Sequence, residues 1–161
     1  SAWSEARSGA DPVVATAAPS GMAKVLKAAR DERMDLVIVD TAPHAAPEAA
    51  GIARMVDLVL IPCRPTAFDL AAAGNAAAIV KAVGVRTAFV LSACPFRAPE
   101  IAEARVALTA YGLPIAPAEI TDRRAFARAV ATGQSVTEFE TDGRAAAEIR
   151  ALWAWVQEQI Q

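Results

Sequence analysis

Short runs of consecutive apolar residues alternate along this chain with longer stretches whose apolar positions recur every three or four residues. Leu36-Val37-Ile38-Val39 and Leu58-Val59-Leu60-Ile61 carry no polar alternation, so they predict strands buried on both faces, as in a parallel sheet covered by helices. A third strand is predicted over 85–91, with shorter ones over 12–16 and 114–120. The helical pattern fills the intervals. It predicts helices over 1–7, 22–33, 45–55, 68–83, 98–111, 122–132 and 142–159. In the second of these, Met22, Val25, Leu26 and Ala29 form the apolar stripe, and Lys24, Lys27, Arg30 and Asp31 the outer face. Gly9 and Pro12 end the first helix, Gly112 closes the one over 98–111, and Gly133 closes the next. Strands alternating with helices predict a single α/β domain over 1–161, with a mostly parallel sheet and right-handed crossovers.

Composition narrows this picture without redirecting it. A chain of 161 residues that is 55% hydrophobic can bury about 70% of its unfolded surface in one core. The net charge of -2 gives no global attraction to nucleic acid or an anionic membrane, so such a contact needs a local basic patch. The two cysteines, Cys63 and Cys94, are far apart, each beside a proline and neither in a Cys-x-x-Cys or Cys/His cluster. They are expected to be reduced, half-buried thiols of a cytoplasmic protein. No apolar run approaches the roughly 20 residues that span a bilayer. The start has no basic-then-apolar signal and no initiator Met, and it opens in helical pattern, so a fragment of a longer protein is expected.

The chemistry centres on Asp40, at the carboxyl end of the 36–39 strand. Ligands of open α/β sheets bind at that end, and an acid there can hold the water shell of a Mg²⁺ that carries nucleotide phosphates. An aspartate in the same place can also cap the next helix. Thr41-Ala42-Pro43 breaks the strand and begins a loop, in which His44 reads as a solvated side chain. Arg97, Arg105, Arg123, Arg124 and Arg128 admit two readings. They could meet DNA phosphates, or they could lie on solvated faces paired with Glu100, Glu103 and Asp122. Ile149, Leu152, Trp153, Val156 and Ile160 form a stripe on the terminal helix, expected to pack on the sheet. Trp155 is off that stripe and reads as the rim of a partner surface.

The order of these segments resembles the ParA family of partition ATPases, closest to its small, ParF-like members. The likeness rests on the strand ending at Asp40, on Ile61-Pro62-Cys63-Arg64-Pro65-Thr66-Ala67-Phe68-Asp69-Leu70, on Ile120-Thr121-Asp122-Arg123, and on Gly133-Gln134-Ser135-Val136-Thr137-Glu138. Trp3-Ser4 and Asp142-Gly143-Arg144-Ala145-Ala146 extend it to both ends of the chain. The resemblance implies a P-loop NTPase-like three-layer fold. It also implies an ATPase that uses ATP and Mg²⁺, forms a homodimer on ATP, binds non-specific DNA, and is stimulated by a ParB-like centromere-binding partner. By it, Asp40 is the Walker B acid, with Thr41 and Pro43 in the switch loop after it. Ser92, Thr121 and Asp122 fall where the family cradles adenine, and many relatives have asparagine where Ser92 stands here. Arg97, Arg123, Arg124 and Arg128 become candidates for DNA contact. The implied location is the cytoplasm, on the nucleoid, with no membrane attachment.

One family feature has no counterpart in these residues. The glycine-rich, lysine-bearing phosphate loop is absent, since no two glycines are adjacent and no Gly-Lys-Thr or Gly-Lys-Ser occurs. The resemblance places that loop, its strand and its helix before Ser1. The expectation is an open apolar sheet edge beside the Asp40 strand, and no ATP hydrolysis by this polypeptide alone. A module of the same fold that binds partners without catalysis is the alternative, and a MinD-like positioning ATPase is another.

Overall fold

The computed structural model describes residues 2–7, 9, 11–41 and 46–160. At its centre two parallel strands, β1 (Val59–Cys63) and β2 (Thr87–Leu91), pair in the register Val59 to Thr87 through Cys63 to Leu91. All five residues of β2 are buried, as a continuous apolar strand requires, whereas β1 leaves Leu60 and Pro62 exposed. On the far side of β2 the 114–121 segment runs parallel to it, bridging Phe89 to Ile115 and Cys94 to Thr121. Pro114 and Pro117 lack the N–H that a continuous ladder needs, so the strand predicted over 114–120 is reduced to these bridges.

Between the strands runs α4 (Ala67–Val83). Thr66 starts it, its hydroxyl accepting the Asp69 N–H, and Gly84 ends it in the left-handed conformation at φ 77°. Ala73, Ala77 and Val80 are its buried residues, and their small side chains bring the helix close to the sheet. After β2 comes α5 (Glu100–Thr109), which adds Ala104 and Leu108 to the same core as Ile61, Phe89 and Leu91. Tyr111 follows α5, and its hydroxyl donates to Leu70 O at 3.2 Å, fastening the α5 end to α4.

A second, smaller core lies among α6 (Arg124–Ala131), α7 (Val136–Phe139) and α8 (Arg144–Ile160). Ala129, Val136, Ala145 and Ala146 form it. Of the stripe expected on the terminal helix, Val156 is buried and Ile149 packs against this second core, but Trp153 and Ile160 are each 40% exposed, and Trp155, off the stripe, is half-buried. Ahead of the sheet lie α1 (Ala2–Ala6), a 3-10 turn at Pro19–Gly21, α2 (Met22–Asp31) and α3 (Ala46–Ala53).

The first half also carries the largest correction. The strands predicted over 12–16 and 36–39 do not form: both segments lack a ladder among the described residues, and Val13, Leu36, Val37 and Ile38 are 70%, 48%, 42% and 83% exposed. An apolar run becomes a strand only where a neighbour supplies partners for its N–H and C=O groups, and none of the described residues pairs with these two runs. The two thiols also differ from expectation in degree. Cys63 and Cys94 are free, but they are fully buried rather than half-buried, at 3% and 0% exposure.

Candidate functional site

The carboxyl ends of β1, β2 and the 114–121 segment meet in one place. Ser92 N donates to Cys63 O at 2.9 Å, Cys94 N to Ile120 O at 3.0 Å and Asp122 N to Cys94 O at 2.8 Å. The last two bonds set the 92–94 turn against the 120–122 turn, and the first holds Ser92 at the end of β1. Ser92 and Thr121 are half-buried there, and Asp122 is exposed.

Beside these turns lies an open cleft of about 480 Å³, with Phe96, Arg97, Pro117, Thr121, Arg123 and Glu148 among its walls. Its floor is held by a carboxylate that periodicity alone does not single out. Glu148, from the first turns of α8, accepts Thr121 N–H at 3.1 Å, Thr121 Oγ1–H at 2.8 Å and Arg123 Nη2–H at 2.6 Å. Burial pushes this carboxyl up, but the hydrogen bonds from Arg123 and Thr121 outweigh it and leave it below its ordinary value. The same pairing holds Arg123 above its own ordinary value. Arg123 is therefore tied down inside the cleft, paired with Glu148 rather than with Asp122. A second clamp braces the opposite wall, where Arg105 Nε donates to Glu119 at 3.0 Å and its Nη atoms to Ala116 O and Pro117 O at 3.3 and 3.1 Å. Phe96 is 59% exposed at the rim, with the Arg97 guanidinium 4.9 Å from its ring centroid. The cleft thus joins an exposed aromatic ring and a proline to polar groups of the 121–123 turn.

The remaining candidates lie elsewhere. Arg124 and Arg128 are exposed on α6 and line a separate cleft with Phe139 and Glu140, in which the Arg128 guanidinium stands 5.3 Å from the Phe139 ring. Asp40 and Thr41 are exposed at the end of the unpaired 36–41 stretch. Pro43 and His44 lie outside the described residues. Among the described residues no group of three or more His, Cys, Asp or Glu is placed to hold a metal ion. A Mg²⁺ that keeps most of its waters and its phosphate ligands needs only one such acid from the protein, and Asp40 is of the right chemistry for that role. No helix among the described residues is long and apolar enough to cross a membrane.

Glu148 and Phe96 are the site residues that sequence reasoning missed. The periodicity of the terminal helix puts Glu148 on its charged face, where it reads only as a balance to the arginines. Phe96 sits in a loop with no pattern to mark it.

No protein-family model matches the chain, and no curated protein matches its sequence. Among solved structures it is similar to the cell division ATPase MinD of Pyrococcus furiosus, with a TM-score of 0.72 and 19% identity. The match covers 88% of this chain and 59% of that one, so this chain spans less than two thirds of the protein it resembles. The fold is thus the α/β fold of that ATPase, a P-loop NTPase-like parallel sheet flanked by helices.

Proposed function

We propose that this chain serves a positioning ATPase of the ParA/MinD type, and within that class a DNA-segregation ATPase. The observation that carries the reading is the meeting of the 92–94 and 120–122 turns, which carry Ser92, Thr121 and Asp122, beside an open cleft at the carboxyl end of the sheet. That is where open α/β sheets take nucleotides. In this reading Phe96 and Pro117 offer flat surfaces to adenine, and the backbone of the 121–122 turn its polar contacts. Glu148 keeps that turn in place. Asp40 holds the water shell of Mg²⁺, with Thr41 and Pro43 in the loop that follows. Bound ATP with Mg²⁺ would supply the phosphoryl-transfer chemistry. ATP would also bring two copies together, and the homodimer would coat DNA until a ParB-like partner stimulates hydrolysis.

The DNA surface in this reading is Arg124 and Arg128 on α6, both exposed, with Arg97 at the cleft rim. Arg123 contributes least, because a guanidinium already paired with Glu148 has little left for a phosphate.

The test uses the full-length protein that carries this chain. Fluorescent ATP should bind, and Asp40→Ala should remove the Mg²⁺ dependence of that binding. DNA affinity should fall steeply with salt, and Arg124→Ala with Arg128→Ala should flatten the log–log slope by about 0.9 for each phosphate those arginines neutralise. ATP binding that ignores both Mg²⁺ and Asp40→Ala would overturn the ATPase reading. Salt-indifferent DNA binding would overturn the DNA surface. One observation favours the second reading, a partner-binding module of the same fold: Asp40 stands on an exposed, unpaired segment rather than at a strand end.

A further inference from the structure

Helix α1 does not have the means to stand alone. Its five residues fall far short of the length at which an isolated helix holds together in water. None of residues 3–7 is buried. It lies against α6, and its Trp3 and Arg7 side chains reach a short stretch 126 to 131 positions later. Trp3 Nε1–H donates to Gln134 O at 3.2 Å, and Arg7 Nη1–H to Gly133 O at 3.0 Å. The Arg7 fork then closes on both oxygens of Glu138, at 3.0 and 2.8 Å, with its guanidinium 5.1 Å from the Trp3 ring. Its remaining Nε–H donates to Asp11 O, so one side chain also fixes the backbone that leaves the helix.

The seat is shaped for this helix. Gly133 is left-handed at φ 68°, and a Cβ there would lie 2.4 Å from Arg7 N and 2.5 Å from the Ala6 carbonyl carbon. Glu138 serves two neighbours, since its Oε2 also accepts Ser135 N–H at 2.8 Å and Ser135 Oγ–H at 2.9 Å in the capping box that starts α7. The same α6–α7 junction carries the cleft of Arg124, Arg128 and Phe139.

We propose that α1 is a detachable strap, clipped by Trp3 and Arg7 to the 133–138 junction, and that the clipped state sets how α6 and α7 present Arg124 and Arg128 to a polyanion. The second half of that statement rests on the DNA reading above. The attachments are polar and peripheral, with the Arg7 and Glu138 side chains 18% and 43% exposed. No residue of α1 belongs to the Ala129, Val136, Ala145 and Ala146 core, so that core does not depend on the strap being seated. Elements held this way open at low free energy, and moving parts are drawn from them.

Limited trypsin digestion reads the strap directly, because cleavage after Arg7 requires α1 to leave its seat. Gly133→Ala and Trp3→Ala keep Arg7 and the α7 capping box, and each should speed that cleavage about tenfold or more, in proportion to the open population. Trp3→Phe, which keeps the stacked ring and loses the N–H donor, should fall between wild type and Trp3→Ala. Binding of a short DNA duplex should weaken in the same order. Equal cleavage rates in wild type and in both tryptophan variants would overturn the strap, whatever becomes of Gly133→Ala. Faster cleavage with unchanged duplex affinity would overturn its coupling to the arginines. Duplex binding that ignores Arg124→Ala and Arg128→Ala would sink the DNA reading instead, with the strap still decided by the cleavage rates.

Discussion

Glu148 binds one arginine and one backbone N–H from a half-buried position, and its removal orphans both. Glu148→Ala should cost about 2 kcal/mol in chemical denaturation, the scale of hydrogen bonds to a charged group. Arg123→Ala should cost less, since the Thr121 hydrogen bonds to the carboxylate remain. The pH dependence of this pair follows from the direction of its shift. A carboxyl held low in the folded state stabilises the fold above its ordinary value, and the gain disappears as pH falls through the folded value. The Arg7–Glu138 clip obeys the same sign. The hydrogen bond from Arg7, then those from the Ser135 N–H and hydroxyl, hold the Glu138 carboxyl down at about 2. Trypsin cannot report there, but hydrogen exchange at residues 134–139 can. Protection should be constant from neutral pH to the ordinary carboxylate range, then decline toward pH 2 once intrinsic exchange is corrected for. Residue patterns make part of this site legible. Resemblance alone points to Ser92, Thr121 and Asp122, and the structure puts them on two turns joined through Cys94. Glu148 is out of reach, because the partner of a charged helical residue depends on how the helix docks.

Helices prove more legible than strands. The run over 68–83 is announced by Thr66 at its start and Gly84 at its end, and α4 falls within a residue of it. Helical hydrogen bonds close within the segment, so local sequence suffices. A strand needs a neighbour, and its partners are remote. The 58–61 and 85–91 runs find each other across α4, whereas the equally apolar 36–39 run has no ladder among the described residues. Packing within helices divides the same way. Leu108 and Val106 are two positions apart on α5, one fully buried and the other 75% exposed. Leu108→Ala should therefore cost about 2–5 kcal/mol in thermal or denaturant unfolding, because it removes buried apolar surface and leaves a cavity under the sheet. Val106→Ala should stay within about 0.5 kcal/mol of wild type.

At the scale of the molecule, two cores sit behind one sheet end, and apolar surface concentrates in the first 41 residues. Leu36, Val37 and Ile38 present side chains and unpaired backbone together, which is a template for pairing with another chain. Ile38→Lys places a charge on the most exposed of them. It should leave the unfolding midpoint of this polypeptide unchanged and lower its concentration-dependent light scattering. A fall in stability would mean that the 36–39 segment is packed after all.

The depth of the two thiols has a practical outcome. Burial, helped by Asp69 for Cys63, pushes both up to about 11, so neither is a thiolate at neutral pH and neither is within reach of a bulky reagent. Cys63 closes β1 and Cys94 joins the 92–94 and 120–122 turns, both inside the main core. The protein thus carries two native reporters of its own opening. The rate at which an added maleimide consumes them under native conditions measures how often the sheet itself comes apart, separately from any motion of α1.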